Sequence, residues 1–111
     1  MASSYKTLGQ FDVTSATLQD IYTVPSATEA VLSTIVIANR AATTDTFRIA
    51  IRTDGDAISN KHYIAYDVTV QGNDSVALTM GVTIQATDVV SVSGTGSSAL
   101  SVNLFGSEIT V

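Results

Sequence analysis

Seven consecutive residues, Thr46-Phe47-Arg48-Ile49-Ala50-Ile51-Arg52, put Phe47, Ile49 and Ile51 on one side and Arg48, Ala50 and Arg52 on the other. A period of two fits an extended strand with one buried face and is incompatible with a helix, whose faces repeat every 3.6 residues. Similar short segments recur from Leu8 to Phe105, punctuated by Gly, Asn, Asp and Ser. Turn signals return about every 10–12 residues, the spacing of a β-sandwich or barrel.

Eight strands are predicted, over residues 5–13, 18–24, 30–39, 46–52, 62–70, 76–80, 88–93 and 99–105. Leu8 and Phe11 are the expected core residues of the first. Pro25 ends the second, since it has no N–H to donate to a ladder. The third is the most continuously apolar, with Ile35-Val36-Ile37-Ala38 at its heart, and is expected to be central and buried on both faces. In the fifth, Ile64, Tyr66, Val68 and Val70 share one face, leaving Tyr63 on the other. The expectation is one all-β domain over residues 1–111: an antiparallel, jelly-roll-like sandwich of about eight strands, with residues 1–6 as a flexible arm. The words Ala27-Thr28-Glu29-Ala30-Val31 and Ala86-Thr87-Asp88-Val89-Val90 echo one another. They read as two turns of one type, each with an acid leading into a strand.

Composition narrows the function classes. Ser and Thr make up about a quarter of the chain, well above ordinary usage. Thr suits strands, and an uncharged polar surface suits contact with other protein. Net charge is −5 with only 5 Lys and Arg, which argues against nucleic acid as a partner. Cys is absent, so disulfides and thiolate metal sites are excluded. No apolar run approaches the ~20 residues of a membrane helix, and the first residues lack the apolar stretch of a signal peptide.

Chemistry-bearing residues are few. His62 is the one histidine, and without a positioned partner it reads as the start of a strand rather than a general base. Asp54 and Asp56 flank Gly55, but Ala57, Ile58 and Ser59 break any calcium-loop spacing, leaving a turn. Gly94-Thr95-Gly96 lacks the Lys and the helix of a phosphate loop. No catalytic residue, cofactor or metal is expected. The candidate interface residues are Arg40, Arg48, Arg52 and Tyr63. Arg is enriched at protein contacts and can bind carboxylates bidentately. Cross-strand pairing of Arg48 with the outward Asp67 is the alternative. Tyr63 is the exposed aromatic that a sugar-binding surface would use.

Three words carry a resemblance: Leu18-Gln19-Asp20-Ile21-Tyr22-Thr23-Val24-Pro25, then Val31-Leu32-Ser33-Thr34-Ile35-Val36-Ile37-Ala38-Asn39-Arg40, then Thr46-Phe47-Arg48-Ile49. In this order they resemble small structural proteins of tailed bacteriophages, cyanophages among them. Later words, such as Tyr63-Ile64-Ala65-Tyr66-Asp67 and Asn103-Leu104-Phe105-Gly106, extend the likeness over most of the chain. The resemblance implies a β-sandwich in the virion. It most readily implies a capsid decoration (cement) protein that bridges major capsid subunits, as a homo-oligomer with a trimer favoured. A tail, neck or fibre-adaptor component and a carbohydrate-binding module for host attachment are the alternatives. The words are strand-and-turn words, so no functional residue is carried over with them.

Overall fold

The structure is a computed structural model that describes residues 2–13, 16–95 and 99–110. Eight strands follow one another: β1 (Ala2–Val13), β2 (Gln19–Thr23), β3 (Thr28–Asn39), β4 (Asp45–Arg52), β5 (Tyr63–Val70), β6 (Ser75–Ile84), β7 (Val89–Ser93) and β8 (Leu100–Thr110). Two short 3-10 turns, Thr53–Gly55 and Asn60–His62, interrupt the β4–β5 connection.

The pairing is nested. β4 pairs with β5, β3 with β6, β2 with β7 and β1 with β8, all antiparallel. The chain is therefore one long ribbon doubled back at the β4–β5 connection. Rolling the ribbon adds the β3–β8 and β4–β7 pairs, giving sheets of order β1-β8-β3-β6 and β2-β7-β4-β5. That order is the jelly roll, in which all-β chains bury one face of each sheet against the other.

Alternation decides what enters the core. Leu32, Ile35, Ile37, Leu100, Val102 and Leu104 come from the first sheet, and Phe47, Ile49, Val90 and Val92 from the second. All are essentially without solvent contact. Each such side chain contributes about 1.5–3 kcal/mol of burial free energy. Leu8 and Phe11 pack against this core half-buried, whereas Val13 at the end of β1 is fully buried.

Two expectations about strands change. β3 is central, between β8 and β6, but only one of its faces is buried: Val31, Val36 and Ala38 remain half-exposed on the outside. The molecule measures 45 × 27 × 18 Å, a thickness that holds two sheets about 10 Å apart and no third layer to cover β3. Its continuous apolar run is cut in phase by Ser33, an extra residue relative to β8, so that Leu32 and Ile35 both point inward. Opposite this bulge stands Gly106, where a Cβ would lie 2.1 Å from the Val31 carbonyl oxygen. Residues 2–6, expected to be a flexible arm, are in β1, with Ala2 opposite Thr110 and Lys6 opposite Gly106. Met1 lies outside the described residues, as does Gly96 of the Gly94-Thr95-Gly96 segment.

The echoing words form turns at one end of the sandwich. Ala27 and Thr87 both adopt positive φ, one position apart in the aligned words. The segments they belong to are tied through the Val24 and Thr87 amides, which donate to the Asp88 and Val24 carbonyls.

Candidate assembly surfaces

Three of the four candidate residues meet on the outer face of the β2-β7-β4-β5 sheet, where Arg48, Arg52 and Tyr63 border one groove of roughly 430 Å³ with Asp20, Ile58 and Leu18. Buried Ser93 also lines it, and the nearby Ala50 and Ser91 are small, buried residues of the same sheet.

Tyr63 and Tyr66 share this face, contrary to the expectation from strict alternation. Tyr66 is 55% exposed rather than in the core, and Ile64 is exposed as well. The cause lies in the backbone. β5 slips register against β4 twice, between the pairs Phe47–Val68 and Ile49–Ala65 and again before Ala50–Tyr63. Asp67 sits at the first slip with φ 52°, a left-handed conformation that Asp tolerates better than most residues. The slips keep Val68 and Ala65 against the core and turn Tyr63 and Tyr66 outward.

The two rings then pack edge to face, with centroids 4.9 Å apart and planes at 86°. The Arg48 guanidinium lies 3.9 Å from the centre of the Tyr66 ring. It also grips Asp67 with two bonds, Nε to Oδ1 at 2.6 Å and an Nη nitrogen to Oδ2 at 3.2 Å. Each partner stabilises the other's charge: the hydrogen bond from Arg48 lowers the Asp67 pKa, and Asp67 raises that of Arg48. Arg52 is just as engaged. It donates to Asp20 at 2.8 Å, to Ser91 Oγ at 3.3 Å and to the carbonyls of Gly55 and Asp56 at 3.2 and 2.8 Å. It thus staples the first 3-10 turn and β2 onto β4. Both guanidiniums are committed within the chain, so an incoming anion would have to displace a carboxylate.

Arg40 lies elsewhere. It follows β3 at one end of the sandwich and pairs with Asp12 of β1. The buried Asn39 before it organises that end, its side chain donating to the carbonyls of Thr43 and Val70 and accepting from the Ala41 amide.

At the opposite end His62 closes the second 3-10 turn. It is 5% exposed, and its Nδ1 accepts from the Ser59 amide at 3.0 Å. Nε2 is buried with no hydrogen-bond partner among the described residues. Asp54 and Asp56 form the predicted turn. Asp88, just before the neighbouring strand β7, caps it by accepting the Asp54 amide and also accepts the Gln85 amide, each at 2.9 Å. Among the described residues no group of three or more His, Asp or Glu side chains is gathered in a way that could hold a metal ion, and no helix is long and apolar enough to cross a membrane.

One cluster has no signal in the sequence. The Tyr22 hydroxyl of β2 donates to Glu108 of β8, and Lys6 of β1 pairs with the same carboxylate at 2.6 Å. Burial, then the adjacent carboxylate, holds the Tyr22 pKa well above its ordinary value. The bonds from Lys6 and Tyr22 lower that of Glu108. Residues 86 positions apart meet here only because β1 and β2 both flank the rolled ribbon.

No family model and no curated protein matches the chain. Solved structures do match in fold. One is from the Bacillus endospore appendages, a family of disulfide-linked pili, at 15% identity and TM-score 0.58, spanning 99% of this chain and 88% of that one. Another is from infectious bursal disease virus, Gx strain, at 12% identity and TM-score 0.51, spanning 98% of this chain but only 32% of that one. At these identities the likeness is one of fold.

Proposed function

We propose that this chain is a repeated structural subunit of a virion, and that within the virion it is a capsid decoration protein of a tailed bacteriophage. The observation that carries the structural reading is the jelly roll itself, in which four of the five basic side chains are engaged by the chain's own carboxylates. Lys6, Arg40, Arg48 and Arg52 each neutralise a carboxylate of the same chain. The fold is shared with a structure from disulfide-linked pili and one from a virus. The phage assignment rests on the strand words of residues 18–49 and 63–106. The subunit is non-catalytic, binds no cofactor and works by shape. Because this sequence has no Cys, disulfides do not link its copies, unlike those of the disulfide-linked pili. Many weak contacts to the major capsid protein, each raised in effective concentration by the others, would then hold the shell.

Imaging of the intact particle tests this. Hundreds of copies on the head support decoration. A dozen or fewer at one vertex would move the subunit to the tail, neck or fibre region, and absence from particles would end the proposal. A second reading has one observation in its favour, the Tyr63–Tyr66 pair on an exposed face. It is a carbohydrate-binding module for host attachment, and glycan binding lost in Tyr66→Ala would establish it. Hydrolytic activity abolished by His62→Ala would overturn the non-catalytic assignment.

A further inference from the structure

The distribution of charge and the open edges of the sheets single out one flank of the sandwich. Four cations are paired internally, which leaves Lys61 and six carboxylates, Glu29, Asp45, Asp54, Asp56, Asp74 and Asp88, to make up the net charge of −5. Each of these carboxylates lies in an end loop or within the first two residues of a strand. Excess negative charge therefore gathers at the two ends, and end-to-end contact between copies is repelled. The sides are electrically balanced.

The two sides differ. On one, β1 and β2 come together: a Cβ on Gly9 would be 2.7 Å from the Ile21 carbonyl oxygen, and the Tyr22, Glu108 and Lys6 contacts close the gap. On the other, β5 and β6 leave a shallow cleft bordered by Ile64, Leu78, Met80 and Val82. Its rim is β6, ten residues of outer strand reading Ser-Val-Ala-Leu-Thr-Met-Gly-Val-Thr-Ile, with no charge and no Pro. Outer strands ordinarily carry such residues, because an unpaired row of N–H and C=O groups recruits another strand. The other three do: Lys6 and Asp12 on β1, Asp20 on β2, Asp67 on β5.

Gly81 in the middle of β6 is the decisive residue. Gly9, Gly72 and Gly106 would each place a Cβ within 2.7 Å of backbone, and Gly55 has φ +70°. A Cβ on Gly81 would meet nothing within 4 Å, and the residue does not adopt positive φ. The extra residue that β6 carries here relative to β3 adds twist, which by itself discourages pairing. Yet the position lacks a side chain that the fold of a single copy would accommodate. Glycine inside a strand weakens it and marks either a bulge, which β6 has here, or close approach by a second backbone, which the open space beside Gly81 admits.

We infer that β6 is where two copies of this chain join, edge to edge and antiparallel about a two-fold axis, making one eight-stranded sheet and covering the apolar clefts of both. A two-fold contact brings a patch against itself, so it suits a strand that has no charge to repel its own copy. The inference rests on the proposed role as a repeated subunit but fixes a two-fold pair where the resemblance favours a trimer.

Sedimentation of the purified full chain over a concentration series, with Gly81→Lys beside it, tests the contact. The expected result is a monomer–dimer equilibrium for the natural chain, weakened a hundredfold or more in Gly81→Lys, where two like charges are forced together. Unchanged thermal unfolding of dilute Gly81→Lys would show that the monomer is intact. Thr44→Lys, at an exposed end loop, should still dimerise. Amides of β6 should gain hydrogen-exchange protection with concentration. A natural chain that stays monomeric, forms trimers, or dimerises equally well with Gly81→Lys overturns the inference. None of these results depends on where the protein sits in a particle, so the decoration reading stands or falls separately.

Discussion

The two flanks of this sandwich have the same job, joining one sheet to the other, and do it with opposite chemistry. The β1–β2 flank is locked by backbone proximity at Gly9 and by the bonds among Tyr22, Glu108 and Lys6. Among the described residues the β5–β6 flank shows no such lock and is lined by half-buried Leu78, Met80 and Val82 with the exposed Ile64. Polar closure satisfies an edge within a single copy. An apolar, uncharged edge leaves free energy to be gained by covering it, at about 25 cal/mol per Å² of apolar surface removed from water.

Substitutions of matching size should separate the flanks. Gly9→Val forces a branched side chain against the Ile21 carbonyl and should cost about 2–3 kcal/mol or prevent folding, read as a fall in denaturation midpoint. Tyr22→Phe keeps the ring but removes a hydrogen bond to a carboxylate. It should cost roughly 1–2 kcal/mol by the same measurement.

Acidity probes that cluster without mutation. Glu108 is held below its ordinary 4.5, so its contribution is present above that pH and is lost as pH falls through its lower folded value. Tyr22 is held above its ordinary 10.0, so its contribution is complete below pH 10.0 and declines above it as the unfolded chain ionises first. The contribution of this cluster to the stability of the natural chain should be flat between these limits and fall on both sides. In Tyr22→Phe the alkaline decline should shrink.

The smallest effects are expected away from the locked flank. Gly81→Ala should leave the dilute monomer unharmed or stabilise it by about 0.4–1 kcal/mol, since the unfolded chain loses freedom and the folded one gains no clash. A loss of monomer stability there would mean that the two flanks are equally tight. Arg48→Ala should move the melting temperature no more than an ordinary surface change, because its pair with Asp67 faces water.

Much of the fold was legible because sandwich strands announce themselves by alternation. β4 read correctly, with Phe47 and Ile49 buried and Arg48 outside against Asp67. The reading failed where the chain breaks its own period. At Asp67 a left-handed residue shifts β5, and Tyr66 faces solvent instead of the core. At Ser33 a bulge rephases β3, and the absence of a third layer exposes one of its faces. Of the candidate surface residues, Arg48, Arg52 and Tyr63 gather on one face, whereas Arg40 belongs to an end loop.

Local pattern by itself determined that this chain forms about eight strands with one apolar side each, because a period of two is a property of consecutive residues. Which strands became neighbours, which edges stayed open and which glycine faces open space were decided only when the ribbon rolled. Those outcomes depend on contacts between residues far apart in the chain, such as Tyr22 with Glu108, and on the emptiness beside Gly81. A sequence records neither until the tertiary structure brings distant segments to a common surface.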